Sequence, residues 1–265
     1  MRIAIIGAGV VGKAVGEAFR HHGHQVMYID KRPERGASWM IYRTARRFDV
    51  AMICVDVPTI SNPPIGQSIN QIKGVVGEAL KNADHVVIKS AVLPGTTDAL
   101  RELFNTDAIH VNPEFLRERY AKQDALEPLL IVGDDADLMY ALYDGFEAPI
   151  YIFKPIECEW FKYLWNLYNA MRISFFNEMR RLIPNAQKLI EALCRNTWHY
   201  RVDPLMFGGY DWGAFKGKCL PKDCDALYYY LYRQGKRSRF LEATIETNVE
   251  MGGVSDAYYH YRRRR

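Results

Sequence analysis

The chain has 265 residues, enough for one large domain or two modest ones, and its 49% hydrophobic and 25% charged residues are the balance of a globular protein. Its formal net charge is +4, which the terminal arginines Arg262 to Arg265 account for, so the body is balanced and gives no sign of a nucleic-acid binder. No stretch reaches the ~20 apolar residues of a membrane span, and the scattered cysteines fit a reducing cytoplasm better than a disulfide framework.

Residues 2–6, "RIAII", form a short β-rich run. "GAGVVG" (7–12) follows, "KAVGEAFRHHGH" reads as a helix closing near Gly23, and "QVMYID" reads as a second strand ending at Asp30. The opening run is apolar, but its glycines and the helix after it make it a strand and turn rather than a secretion leader. This is a βαβ unit carrying the dinucleotide fingerprint in its required context. Gly7 allows the tight turn, Gly9 lets backbone approach a pyrophosphate, and Gly12 lets the helix pack close to the strand, with Val10 and Val11 opening that helix toward the phosphates. Asp30 lies near the spacing expected for a carboxylate on the adenosine ribose. It favours NAD, because it would repel a 2′-phosphate; Lys31 and Arg32, which follow it, keep NADP as the alternative.

Further strands are expected at 49–58, 85–92, 108–115 and 128–135, with helices at about 68–82 and 96–104. These runs are continuously apolar, as strands buried on both faces are, and their alternation with helices implies a doubly wound parallel sheet of Rossmann type over residues 1–154. Ligands in such sheets sit at the carboxyl ends of strands, which here carry "VDVPT" (55–59), "KSAVLPGTT" (89–97) and "NPEFLRERYAKQD" (112–124). Taken singly, Pro58, Pro94 and Pro113 are strand terminators.

From about Pro155 the pattern changes to an all-helical domain, 155–265, entered by a long connecting helix that Pro184 ends. Glu159, Lys162, Asn166, Asn169 and Ile173 step by three or four and share one face; Phe161, Leu164, Tyr168 and Phe175 lie on another. Lys162 and Asn166 are either part of a solvated face with a Glu159–Lys162 ion pair, or two donors aimed into a cleft. The apolar face suits either a homodimer seam or packing against the sheet. A helix is expected over 186–198, a glycine-bearing loop over 200–218, and helices from about Pro221 to Arg233 and from about Arg239 to Met251.

The stretch "GKCLPKDCDAL" (217–227) carries two cysteines at a spacing that is not CxxC and with no second cluster, so neither a redox pair nor a metal site is expected. Cys224 falls inside the helix as a small core residue. Cys219 stands just ahead of Pro221 at the start of the helix, beside Lys218 and Lys222; both features stabilise a thiolate, as a nucleophile needs. A nucleotide-binding domain and such a thiol suggest oxidation of an aldehyde through a thiohemiacetal to a thioester.

In these motifs the sequence resembles the UDP-glucose/GDP-mannose dehydrogenase family. "GAGVVG", "VPT" (57–59), "KSAVLPGTT", "NPEFLRERYAKQD", "ECEWFKYLWNLYNAMRISFFNE" (157–178) and "FKGKCLPKD" (215–223) occur in family order along nearly the whole chain. The resemblance implies NAD-dependent oxidation of a nucleotide-sugar C6 alcohol to a carboxylate, with UDP-glucose the leading substrate. It makes Cys219 the nucleophile, Lys162 and Asn166 the oxyanion donors, and Glu118, Asp223 and Glu114 the groups that handle water and protons. The cofactor would meet the glycine loop, Asp30, Lys31, Val57, Pro58, Thr59 and Ser90, and the substrate would meet Phe115, Leu116, Arg117, Lys216 and Gly217. The chain departs from the family in ending soon after the second domain, where a third, nucleotide-holding domain usually follows. It also has Ala91 where the family has Thr, and Ala214 and Lys216 in place of glycines before the cysteine. Lys216 is the candidate to bind a substrate phosphate. Two other readings stand: a two-electron hydroxyacid dehydrogenase using Lys162 and Asn166 without the cysteine, and a degenerate NAD-binding protein.

Overall fold

A computed structural model describes residues 1–58, 69–189, 213–216 and 219–262. Strands β1 (Arg2–Ile6), β2 (Gln25–Ile29), β3 (Phe48–Ile53), β4 (Ala83–Ile88) and β5 (Ile109–Val111) form one parallel sheet in the order β2-β1-β3-β4-β5. Ile3 pairs with Val26 on one side and Val50 on the other, which fixes the central register. Alternate residues enter different clusters. Ile3, Ile5, Val50, Met52 and Val87 pack on one face, and Ala4, Ile6, Ala51, Ile53, Val86 and Ile88 on the other. Both faces are apolar because both are covered, which is why these runs do not alternate in sequence. From β1 the sheet grows one way to β2 and the other way to β3, so the switch point lies at the carboxyl end of β1, where such sheets take their ligands.

Helices α1 (Val10–His21), α2 (Trp39–Thr44), α3 (Lys73–Ala79) and α4 (Thr96–Phe104) fall in the connections. After β5 come α5 (Ala121–Leu126), β6 (Leu130–Gly133), α6 (Ala136–Leu142) and β7 (Ile150–Phe153). β6 and β7 form a separate parallel pair. Asn112 donates to the Ile131 carbonyl and Gly133 lies against Val111, so β6 passes β5 in the opposite sense. The helical half consists of α7 (Pro155–Leu182), α8 (Leu220–Arg233), α9 (Arg239–Glu250) and α10 (Asp256–Arg262) among the described residues. The chain divides into two units within α7: Met1–Val57 and Gln67–Lys162 lie in the first, and Tyr163–Arg265 in the second. No helix among the described residues is long and apolar enough to cross a membrane.

The helix expected over 96–104 has those bounds, and the long helix runs to Leu182, two residues before Pro184. Others differ. The span 68–82 holds a 3₁₀ turn, Ile69–Gln71, and the shorter α3. The strand expected over 108–115 ends at Val111, ahead of Pro113, which has no N–H to give a ladder. Sequence periodicity misses α2, α5, α6, β7 and α10, all seven residues or fewer. α6 starts where "GDD" reads as a strand end, because Asp135 caps it by accepting the Leu138 N–H at 2.9 Å. Arg262, the first of the terminal arginines, closes α10 and bonds Glu246 at 3.2 Å. Residues 186–189 are helical, while 190–198 and the loop expected over 200–218, except 213–216, lie outside the described residues.

Candidate active site

The glycine loop is built by close approach. Gly7 has φ +98°, and a Cβ there would lie 2.6 Å from the Cys54 carbonyl oxygen; a Cβ on Gly12 would lie 2.0 Å from the Gly7 oxygen. Neither position admits a side chain. Gly9 meets nothing within 4 Å and caps α1 without a side-chain hydrogen bond. Open space thus borders Gly9 at the uncapped amino end of α1, the arrangement that receives a pyrophosphate. Asp30, just past β2, accepts the Ala8 N–H at 2.9 Å through one oxygen and the Arg32 N–H at 2.9 Å through the other. It thus ties the glycine loop to the strand end. Val10 and Lys31 are exposed and Val11 is half-buried; Val57 is buried and Pro58 exposed. Thr59 lies outside the described residues.

Past β4 and β5, the first unit collects polar groups. The Ser90 hydroxyl is buried and donates to the Val55 and Ile53 carbonyls at 2.6 and 3.2 Å, which fastens the ends of β3 and β4 together. Lys162 is buried and donates to the Glu114 carbonyl at 2.6 Å; its ammonium lies 3.8 Å from the Glu114 carboxylate and 5.1 Å from the centre of the Phe115 ring. The other Glu114 oxygen takes the Leu116 N–H at 2.9 Å. Arg117 is paired with Asp124 by hydrogen bonds of 2.7 and 3.0 Å, and Glu118 is exposed at the start of a 3₁₀ turn, Glu118–Tyr120.

Glu159 does not form the ion pair with Lys162 that one of the two readings of this face supposed. Its buried carboxylate accepts the Gly95 and Thr97 N–H groups at 2.6 and 2.8 Å and the Thr97 hydroxyl at 2.7 Å, capping α4 from another helix. Burial outweighs these donors and raises its pKa to about 7. Sequence reasoning also passed over Lys89. Its buried ammonium donates to Asn112 at 2.8 Å and to the Tyr143 hydroxyl at 3.3 Å, and burial lowers its pKa to about 8. The adjacent Cys54 thiol is pushed up to about 12 by the same burial.

In the second unit, Cys219 is exposed at the N-cap of α8, and its carbonyl accepts the Asp223 N–H at 2.9 Å. Pro221 occupies the first turn, where its missing N–H costs nothing. Asp223 is buried and accepts two donors: the Asn166 carboxamide at 2.5 Å and the Lys222 ammonium. Asn166 is also buried, so α7 and α8 are joined at this point by a polar bond one turn beyond Cys219. Cys224 is buried, with its thiol pKa raised by desolvation, as a core cysteine should be. Lys216 is exposed, and Gly217 lies outside the described residues.

Fold and loop together define a dinucleotide-binding α/β protein whose second unit is helical. Residues 36–146 match the NAD binding domain of the UDP-glucose/GDP-mannose dehydrogenase family and residues 157–250 match its central domain; the chain belongs to this family. The cofactor is NAD, which the open glycine loop and uncapped α1 fit. The chain is 29% identical over 301 residues to GDP-mannose 6-dehydrogenase of Pseudomonas putida, a match covering 94% of this chain and 68% of that protein. A UDP-glucose dehydrogenase structure from Pyrobaculum islandicum superposes with TM-score 0.77 at 24% identity, over 94% of this chain and 68% of that one. The 3-hydroxyisobutyrate dehydrogenase of Mycobacterium tuberculosis superposes with TM-score 0.71 at 14% identity, over 100% of this chain and 99% of that one. The last two likenesses concern the fold.

Proposed function

We propose that this chain oxidises the C6 alcohol of a nucleotide sugar to the carboxylate, with residues 1–154 holding NAD and residues 155–265 carrying the nucleophile, Cys219. NAD supplies the hydride acceptor, and two molecules are reduced for each substrate. The alcohol loses a hydride and a proton to give an aldehyde. The Cys219 thiolate adds to the aldehyde carbon, and the oxyanion of the thiohemiacetal gives up a second hydride to leave a thioester. Water adds to the thioester carbonyl, the C–S bond breaks, and the carboxylate departs with the thiolate restored. Lys162 spends one of its donors on the Glu114 carbonyl and Asn166 spends one on Asp223, so both retain N–H groups for the developing oxyanion. Glu118, exposed at its 3₁₀ turn, is the base for water, with Glu114 and Asp223 holding the two donors in place.

The observation that carries this reading is the Asn166–Asp223 bond. It fixes a carboxamide against the helix whose N-cap is the cysteine, a connection that a solvated helix face would not need. UDP-glucose, to which the motifs lead, and GDP-mannose, the substrate named for the Pseudomonas putida relative, are the two sugars to separate. Purified protein with NAD⁺ and each nucleotide sugar should yield two NADH per carboxylate formed, and Cys219→Ser should lose the complete reaction. Full turnover by that variant would sink the thioester route. The fold shared over 99% of 3-hydroxyisobutyrate dehydrogenase supports the second reading, a hydroxyacid oxidation using Lys162 and Asn166 alone. One NADH per substrate, insensitive to Cys219→Ser, would favour it, and NAD binding without turnover on any panel member would favour a degenerate protein.

A further inference from the structure

Away from the strand ends that carry the proposed chemistry, three ligand-type side chains converge in the first unit. His85 lies toward the amino end of β4, and His110 in the middle of β5. His110 is in register with Val87, so the two imidazoles project from the same sheet face as diagonal neighbours. Asp135, the cap of α6, approaches from beyond β6 because that strand runs opposite to β5. His85 Nδ1 lies 3.1 Å from His110 Nε2, and an Asp135 oxygen, Oδ2, lies 3.9 Å from the same His110 nitrogen. All three ligand atoms fall within 4.8 Å of one another.

We propose that His85, His110 and Asp135 form a binding site for a divalent transition metal of the zinc class, distinct from the site of the redox chemistry. Two imidazole nitrogens and one carboxylate oxygen are a set such ions take, with a fourth position left to water. Ligands at 2.0–2.2 Å on a tetrahedral ion stand ~3.3 Å apart, against 3.1 and 3.9 Å for the two separations that involve His110 and at most 4.8 Å for any pair. The carboxylate is the telling member. A histidine pair that merely shared a hydrogen bond would not require it, and 3.9 Å is too long for a direct bond to His110 but suits two ligands across an ion. Asp135 is also aimed: its Oδ1 accepts the Leu138 N–H at 2.9 Å, which leaves Oδ2 turned toward the histidines. Arg101, a cation whose charge reaches His110, is neutralised by a two-pronged pair with Asp134 at 2.8 and 2.9 Å. His110 is buried, while His85 and Asp135 are partly exposed and leave an approach from solvent. His110 Nδ1 has no hydrogen-bond partner among the described residues, so the usual outer-sphere acceptor is missing, which places the affinity ~10–100-fold below that of a fully supported site. Cysteine spacing could not have disclosed this cluster, because its members come from three elements and include no cysteine.

The test is calorimetric titration of the full chain with ZnCl₂, with visible absorption of a Co²⁺ titration as the reporter of coordination. One equivalent should bind, with Co²⁺ bands of a nitrogen–oxygen tetrahedral site. His85→Ala and Asp135→Asn should each weaken binding at least ~10-fold, as loss of one of three ligands requires. Both substitutions fall at partly exposed positions, and Asn keeps the α6 cap, so unchanged thermal unfolding of the metal-free variants should accompany the loss. Cys219→Ser should leave that equivalent intact. The proposal is overturned if no stoichiometric binding is found, if binding survives both ligand substitutions, or if it vanishes with Cys219 instead.

Discussion

A methyl group at Gly7 and one at Gly9 should have opposite consequences, although both glycines belong to one motif. At Gly7 the backbone is left-handed and the added carbon would sit 2.6 Å from the Cys54 carbonyl. Gly7→Ala is therefore expected to cost about 1–3 kcal/mol in stability and to lower the melting temperature as well as NAD affinity. At Gly9 the backbone is extended, φ −77° and ψ −161°, and nothing lies within 4 Å. Gly9→Ala should melt like the parent yet bind NAD at least ~10-fold more weakly, because its methyl occupies the approach to the pyrophosphate. Equal melting losses in both variants would show that Gly9 serves only the fold. These roles are legible in the sequence because a turn and a close approach constrain residues a few positions apart. Lys89, Asn112 and Glu159 are not legible in the same way. Lys89 meets its partners 23 and 54 positions away, and Glu159 meets its own 62 and 64 positions away, distances over which one sequence carries no pairing signal. The rule that residues three apart on a helix interact offered Lys162 as one reading of the partner of Glu159, and the carboxylate instead meets Gly95 and Thr97.

At the scale of an element, α4 depends on α7 for its amino end. Gly95, its N-cap, has no side chain to offer, and the Glu159 carboxylate supplies the acceptor instead. This cap costs stability as it ionises. The folded pKa is raised from 4.5 to about 7 by burial, so the folded chain holds a proton that the unfolded chain has already lost between those values. The contribution is fully present below pH 4.5 and is lost as pH rises to about 7, an effect of roughly 3 kcal/mol at most. Asp225, raised by burial to about 6, acts in the same direction over a lower window, and His110, lowered by burial to about 4, acts in the opposite one. The informative quantity is therefore a difference between variants. Urea unfolding of the parent and of Glu159→Gln at pH 5 and pH 8 should show the larger fall in the parent, with Gln less stable at pH 5 and the gap narrowing by pH 8. Parallel pH profiles would mean that Glu159 keeps an ordinary pKa.

At the scale of the whole molecule, the part of α7 that belongs to the second unit carries an exposed apolar stripe. Beyond Lys162 it buries Tyr163, Asn166, Ala170, Ser174 and Asn177, a mostly polar and small set, and it exposes Leu164, Tyr168, Phe175 and Leu182. At 100° per residue these four exposed side chains fall within about 40° of one another, a stripe ~27 Å long. The apolar residues of the long helix were legible from their spacing, and so was the shared face of Lys162 and Asn166. Which face is covered was not, because polar residues at the buried positions are held by bonds to distant backbone: Ser174 to the Thr244 carbonyl at 3.1 Å and Asn177 to the Gly213 carbonyl at 2.5 Å. Packing against the sheet, one of the two expectations for this face, holds for Phe161, which lies against the cluster of Ala4, Ile6 and Ile53, whereas Leu164, Tyr168 and Phe175 are exposed. The other, a seam between two copies, accounts for a long apolar stripe on a chain of balanced charge, since an isologous contact lets one stripe bury itself against its equivalent. Sedimentation equilibrium should accordingly find a dimer, and Leu164→Glu with Phe175→Glu should yield a monomer. Because both side chains are exposed in the single chain, the double variant should keep its helical circular dichroism and its NAD binding while it loses the dimer. A parent that is monomeric at ~100 µM would remove the seam, and a double variant that remains dimeric would move the interface to another face.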